Sequence, residues 1–140
     1  MLNIKFDINN TIAIFSFPLP SPTNYSLLAN LATILSHIYP CVIIITGNFT
    51  RHLSSTIDDL HISNKKHIYV YDFKYKLFSR DIQVPLLVKF FVYLKIQISF
   101  IVAILKLHSA FRIALFFIGI PHMLFPIIIL RLLKKKIILY

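Results

Sequence analysis

A chain of 140 residues is the size of one domain, and with 57% hydrophobic residues and a mean hydropathy of +0.75 it is more apolar than an ordinary soluble protein. Fifteen Lys and Arg stand against five Asp and Glu, a net charge of +10, and Cys41 is the single cysteine. A disulfide framework and a Cys-based zinc site are therefore excluded. So apolar a composition calls for a parallel sheet buried on both faces, a membrane-associated protein, or both. No nucleic-acid partner is expected, because aromatic–basic repeats on polar elements are missing and the cations sit among Ile and Leu. Anionic lipid headgroups or a merely solvated basic face account for the charge. The N-terminal MLNIKFDINN has no apolar core of the kind a signal peptide needs, so the chain is expected on the cytoplasmic side.

In chain order, TIAIFSF at residues 11–17 is a short β-rich run stopped by Pro18, and predicts a first buried strand. Residues 18–24 form a loop with Pro at three of seven positions. A helix is expected to start near Thr23 or Asn24, either of which can cap it. Leu27, Leu28, Leu31, Ile34, Leu35 and Ile38 then share one helix face, with Ser26, Asn30, Thr33 and His37 on the other side, and Pro40 ends the helix. CVIIIT at 41–46 is a second buried strand, led by Cys41 as a small core residue. Residues 49–66 are polar and read as a loop-rich connection. HIYVYDF at 67–73 is a third strand, and 74–83 is another charged connection.

Residues 84–108 are the longest helical candidate, entered through Pro85. Lys95, Ser99 and Lys106 share one narrow stripe, Lys89 lies about a quarter-turn away and the rest reads as apolar, so the helix is expected to be covered over most of its surface. A lysine near the centre costs roughly 2.5–3.5 kcal/mol in a membrane span, which favours two packing partners, or one partner and a lipid surface. Residues 111–140 allow two readings. The longest stretch without Asp, Glu, Lys or Arg, Ile113 to Leu130, is 18 residues, the lower limit for spanning a bilayer. Gly119, Pro121, His122 and Pro126 interrupt it, which favours a strand over 111–118, a turn, and a helix from Met123 with Pro126 in its first turn. Lys134, Lys135 and Lys136 would close that helix, before a last strand over 136–140. Five apolar runs separated by helix-length segments predict a Rossmann-like, doubly wound parallel sheet with the first strand central.

Much chemistry is excluded. Two glycines, Gly47 and Gly119, are too few for a dinucleotide or P-loop turn. None of the six histidines makes an H-x-x-x-H pair with a nearby carboxylate, so no metal is expected. Asp58 and Asp59 are adjacent and diverge in any regular structure, and there is no G-x-S-x-G elbow. In a doubly wound sheet ligands bind beyond the carboxyl ends of the strands, beside helix N-termini. Ser21, Thr23 and Asn24 offer hydroxyl and amide groups there, either for a ligand or for helix capping. Asn48 and His122 border the same cleft. Catalytic residues are not assigned.

Strand IAIFSFP, helix NYSLLANLATILSHI, strand VIIITGN, strand YVYDF, the long helix, and ALFFIG followed by LFPIIILRLLKKKIIL together resemble the N-terminal half of archaeal-type group 1 (family 4) GT-B glycosyltransferases. The resemblance covers residues 11–140, and its most telling pieces are ITGN at 45–48 and the pattern at 116–126. It implies a single Rossmann-like domain over 1–140, the acceptor-side half of a two-domain enzyme. That half receives a lipid-linked sugar, a polyprenyl phosphate or a polysaccharide. The other half binds the nucleotide-sugar donor and carries a paired-glutamate motif, so no cofactor is expected here. The chain departs from the family where residues 18–24 replace a glycine-rich first loop, and where it ends inside its last strand without the second half. The implied partners are an anionic membrane surface, reached through residues 84–108 and 123–136, and a separate donor-binding domain or subunit. The implied location is peripheral, on the inner face of the cell membrane. The alternatives are a small integral membrane protein with spans near 84–107 and 113–133, and a non-catalytic interaction subunit.

Overall fold

The structure, a computed structural model, describes residues 7–17, 22–47, 68–73, 85–117 and 120–140, of which 22–24, 120 and 121 by backbone alone. Strands β1 (Thr11–Ser16), β2 (Cys41–Gly47), β3 (Ile68–Phe73), β4 (Ile113–Phe117) and β5 (Lys136–Leu139) form one sheet in the order β3-β2-β1-β4-β5. Every neighbouring pair is parallel, and β1 is central. Helices α1 (Pro22–Ser36), α2 (Leu86–Leu107) and α3 (Leu124–Leu132), with a 3-10 turn at Ile120–Met123, complete the described elements. This is the doubly wound, Rossmann-like α/β fold expected from the alternation of apolar runs. The connections at 49–66 and 74–83 lie outside the described residues.

Runs of Ile, Val and Phe are strands because β-branched and aromatic side chains suit a pleated surface covered on both sides. Their alternation assigns each row of the sheet to one face. Val70, Ile44, Ile14, Leu115 and Ile138 lie in register across the five strands and pack toward α1. The next row, Tyr71, Ile45, Phe15 and Phe116, packs toward α2 and α3. There Phe15 stacks on Phe116 at 5.0 Å and meets the edge of Phe111 at 5.9 Å, while Phe100 from α2 stands edge-on to Phe73 at 4.9 Å. Burying each such side chain fully is worth about 1.5–3 kcal/mol, so these rows are the fold's main support.

Three local expectations need correction. Helix α1 begins at Pro22, so Thr23 and Asn24 are in its first turn and do not cap it from outside. Its buried face is Tyr25, Leu28, Ala29 and Ala32, while Leu27, Ile34 and Ile38 are exposed. The two alanines let the helix approach the sheet closely, and that rotates the larger aliphatic residues outward. Helix α2 is covered along one side only, by Ile96, Gln97, Phe100, Ala103 and Ile104. Residues 85–91 are all exposed, Leu86 at 85% and Leu87 at 69%.

The third correction concerns the lysine run. Helix α3 ends at Leu132, leaving Arg131 as the cation in its last turn. Lys134 takes a positive φ of 56°, the left-handed conformation that turns the chain out of the helix. Lys135 points inward. Its ammonium donates to the carbonyls of Phe111, at 2.7 Å, and His108, and lies 5.3 Å from the centre of the Phe111 ring. Burial pushes its pKa below the ordinary lysine value. Only Lys134 and Lys136 of the three are exposed. Cys41 is half-buried at the head of β2, where burial raises its thiol pKa against a lowering hydrogen bond from Thr11.

Candidate functional site

The strand order reverses between β1 and β4, because β1 leads to β2 on one side and β4 leads to β5 on the other. A crevice at such a switch point opens beyond the carboxyl ends of the two strands. Two side chains close the sheet at this end. Thr46 Oγ1 donates to the Ser16 carbonyl at 2.9 Å, and the Tyr25 hydroxyl donates to the Gly47 carbonyl at 3.2 Å. They satisfy backbone groups where the ladder runs out, so the strand ends are held in place.

Phe17 follows β1 into the crevice and meets the 3-10 turn that follows β4. Its ring centre lies 5.1 Å from that of His122 and 6.4 Å from that of Tyr93, with Tyr93 6.2 Å from His122. The His122 carbonyl accepts two hydrogen bonds from α2, one from the Tyr93 hydroxyl at 3.3 Å and one from Gln97 Nε2. The backbone of the turn is thereby fixed, while the imidazole stays exposed. Gln97 is 1% exposed, and its buried Oε1 has no hydrogen-bond partner among the described residues.

Of the expected site residues, the structure brings His122 to the crevice. Thr23 and Asn24 sit in the first turn of α1, which follows β1, and their side chains lie outside the described residues. Ser21 and Asn48 lie outside the described residues altogether. Tyr93, Gln97 and Phe17 were not singled out in the sequence. Gln97 could have been, because it is the one amide in the apolar helix α2, and it falls one turn after Tyr93.

The chemistry available at the described crevice is recognition by rings and hydrogen bonds. Among the described residues the side-chain carboxylates are Asp7 and Asp72. Asp7 ties the turn before β1 through Asn9 and Asn10, and Asp72 lies on β3, two strands from β1, in register with Thr46 of β2. No group of three or more His, Cys, Asp or Glu among the described residues could hold a metal ion.

Beside the crevice, the first turns of α2 form an open, apolar pocket of about 490 Å³ lined by Leu86, Leu87, Lys89, Phe90 and Tyr93. Tyr93 belongs to both places, since its ring lines the pocket and its hydroxyl reaches the His122 carbonyl. Farther along, Ile98, Val102 and Leu105 of α2 are exposed, as are Phe125, Ile128 and Leu132 of α3. Among the described residues α2 is the one helix long and apolar enough to cross a membrane by length and composition. Its inner side, however, packs on the sheet. From residue 82 to 140 the chain holds eight Lys and Arg and no Asp or Glu. No family model, curated protein or solved structure matches the chain.

Proposed function

We propose that this chain is the acceptor-side domain of a GT-B glycosyltransferase working at an anionic membrane surface on the cytoplasmic side. The donor is a nucleotide-sugar held by a second domain across the crevice, and the acceptor is lipid-linked. One observation carries the reading. The switch-point crevice, where doubly wound sheets bind ligands, adjoins a wide exposed apolar and basic face on α2 and α3. A polar acceptor group can enter the crevice while its lipid portion stays at that face. The resemblance of residues 11–140 to the acceptor-side half of such enzymes points the same way.

In the reaction a bond forms between the acceptor oxygen and the anomeric carbon, and the bond from that carbon to the nucleotide leaving group breaks. This domain's part is to hold the acceptor, with His122, Thr23 and Asn24 as the contacts at the crevice. Holding two reactants in line can supply several kcal/mol of the barrier, but it requires both sides of the cleft. Peripheral rather than inserted attachment is supported by α2, whose inner side packs in the core against the sheet.

The test is transfer of label from nucleotide-sugars into a lipid fraction, with and without candidate donor-binding domains. Transfer is expected only with such a domain present. His122→Ala is expected to lower it about tenfold, the scale of one lost positioning contact of about 1.4 kcal/mol, and Asp58→Asn or His61→Ala much less. Robust transfer by the 140 residues alone would sink the proposal. Resistance of the membrane-bound chain to carbonate extraction would replace peripheral attachment by insertion.

A further inference from the structure

We infer that the crevice takes a neutral, hydroxyl-bearing group, a sugar ring rather than a phosphate, with one ligand hydroxyl donating to Gln97 Oε1. The inference rests on the acceptor-side reading and names the chemistry of the group that the crevice holds. Gln97 is 1% exposed, and its buried Oε1 has no partner among the described residues. The other end of the amide fixes its sense. The His122 carbonyl can only accept, so the atom bonded to it is Nε2 and the oxygen is the one left over. Tyr93, one turn earlier on α2, donates to the same carbonyl at 3.3 Å and has thereby spent its only proton. The free capacity of the pair is therefore acceptance, at Gln97 Oε1 and at the Tyr93 hydroxyl oxygen.

Acceptance selects the occupant. A phosphate dianion only accepts, and would set its oxygens against those of Gln97 and Tyr93. An ammonium donates, but residues 82–140 carry eight Lys and Arg and no Asp or Glu to hold it. A sugar hydroxyl donates without bringing charge. The rings suit the same occupant, since Phe17 and the exposed imidazole of His122 lie 5.1 Å apart and offer apolar faces beside hydrogen-bonding atoms. A pyranose pairs a C–H face with a rim of hydroxyls. Because Oε1 is closed off from solvent, its donor is enclosed once bound, and a site of that kind rejects the analogue lacking the hydroxyl.

The probe is octyl β-glucoside, titrated below its micelle threshold into the full chain and followed by calorimetry. Its fully O-methylated form carries the same tail and ring without a donor. Octyl phosphate carries the same tail with a head that has lost both protons at about pH 8. The glucoside is expected to bind about tenfold more tightly than its methylated form, the scale of one buried hydrogen bond. Gln97→Met should abolish that difference by bringing the glucoside down to the methylated form. Tyr93→Phe, at a half-buried position, should narrow it. The chain has two glutamines, Gln83 and Gln97, so their side-chain carbonyl carbon signals are readily told apart by NMR. The glucoside should move that of Gln97, and octyl phosphate should not.

Equal binding of the glucoside and its methylated form would overturn the inference, as would a Gln97 signal moved by octyl phosphate. So would a glucoside affinity indifferent to Gln97→Met, the result if Oε1 holds a single trapped water or the amide serves only the His122 carbonyl. The carbon signal is read on the unaltered chain, so the test stands even where Gln97→Met does not fold. Because no donor or second domain is needed, the outcome is separable from that of the glycosyltransferase reading. Glucoside bound at Gln97 with no transfer in any pairing would sink that reading alone. Transfer to a lipid phosphate and to no lipid-linked hydroxyl would sink this one alone.

Discussion

The two faces of the sheet are covered in opposite ways. On one, α1 lies close, with Ala29 and Ala32 buried in the core and the Tyr25 hydroxyl fastened to Gly47, while Leu27 and Ile34 of the helix and Ile38 just beyond its end are exposed. On the other, α2 and α3 enclose the larger core, Phe15, Phe100, Phe111 and Phe116, and are nevertheless apolar on their outer side as well. A helix that only finishes a soluble core is polar outside. Among the described residues the α2–α3 face leaves more large apolar side chains exposed than the α1 face does, and it is the side that the proposed function sets against an anionic membrane surface.

The comparison can be broken first at two phenylalanines of one helix. Phe100 is fully buried between Phe15 and Phe73, and Phe100→Ala should cost about 3–5 kcal/mol, lost transfer energy and cavity together. Phe90, ten residues earlier and 57% exposed, should cost less than about 0.5 kcal/mol when changed to Ser. Urea unfolding of the two variants checks this. Similar losses at both would mean that the outer side of α2 is covered by the chain itself, and the contrast between the faces would fall.

A second measurement sharpens it. Vesicles containing phosphatidylserine should bind the chain more strongly as the anionic fraction rises and more weakly with salt, since exposed charges are screened over about 8 Å at physiological ionic strength. The double variant Lys134→Gln, Lys136→Gln should lose about 2 kcal/mol of binding, at about 1 kcal/mol per cation near the surface. Leu27→Ser with Ile34→Ser, on the α1 face, should lose almost none. Co-sedimentation at fixed salt reads both. Equal losses on the two faces would leave no docking side to speak of.

How legible was all this in the amino-acid order? The sheet was, because a strand buried on both faces shows as an unbroken run such as VIII at 42–45, and five runs with helix-length spacing leave few topologies. Which side of each helix faces inward was not. Alanine weighs little in a count of large aliphatics, so Ala29 and Ala32 were passed over although they set the contact of α1. In α2 nearly every position is apolar, and periodicity cannot tell an inner side from an outer one when both carry the same residue type. Of the site, His122 could be read from its place after the fourth strand. Tyr93 and Gln97 act through a carbonyl 25 or more residues away, a pairing no local pattern shows. Lys135 was hidden among its neighbours, since three consecutive lysines look alike until the left-handed turn at Lys134 aims the second one inward.

That lysine supplies the smallest effect and separates core-facing from partner-facing charge on the same face. Lys135→Met removes the donor to the Phe111 and His108 carbonyls, and keeps much of the aliphatic stem that lies against the ring. The expected loss is about 1 kcal/mol at neutral pH, the usual net value of such bonds, with vesicle binding nearly unchanged. Its pH dependence has a definite sign. Burial lowers the folded pKa below the ordinary 10.5, so between that lowered value and 10.5 the unfolded chain holds more protons than the folded one. The stability of the natural chain should therefore rise with pH across this window relative to Lys135→Met, from which the titrating group is gone. Taking the difference between the two proteins removes the titrations of tyrosine and the other lysines, which they share. A difference that stays flat or falls across the window, or a Lys135→Met variant that loses vesicle binding and keeps its stability, would place Lys135 with Lys134 and Lys136 on the outer surface.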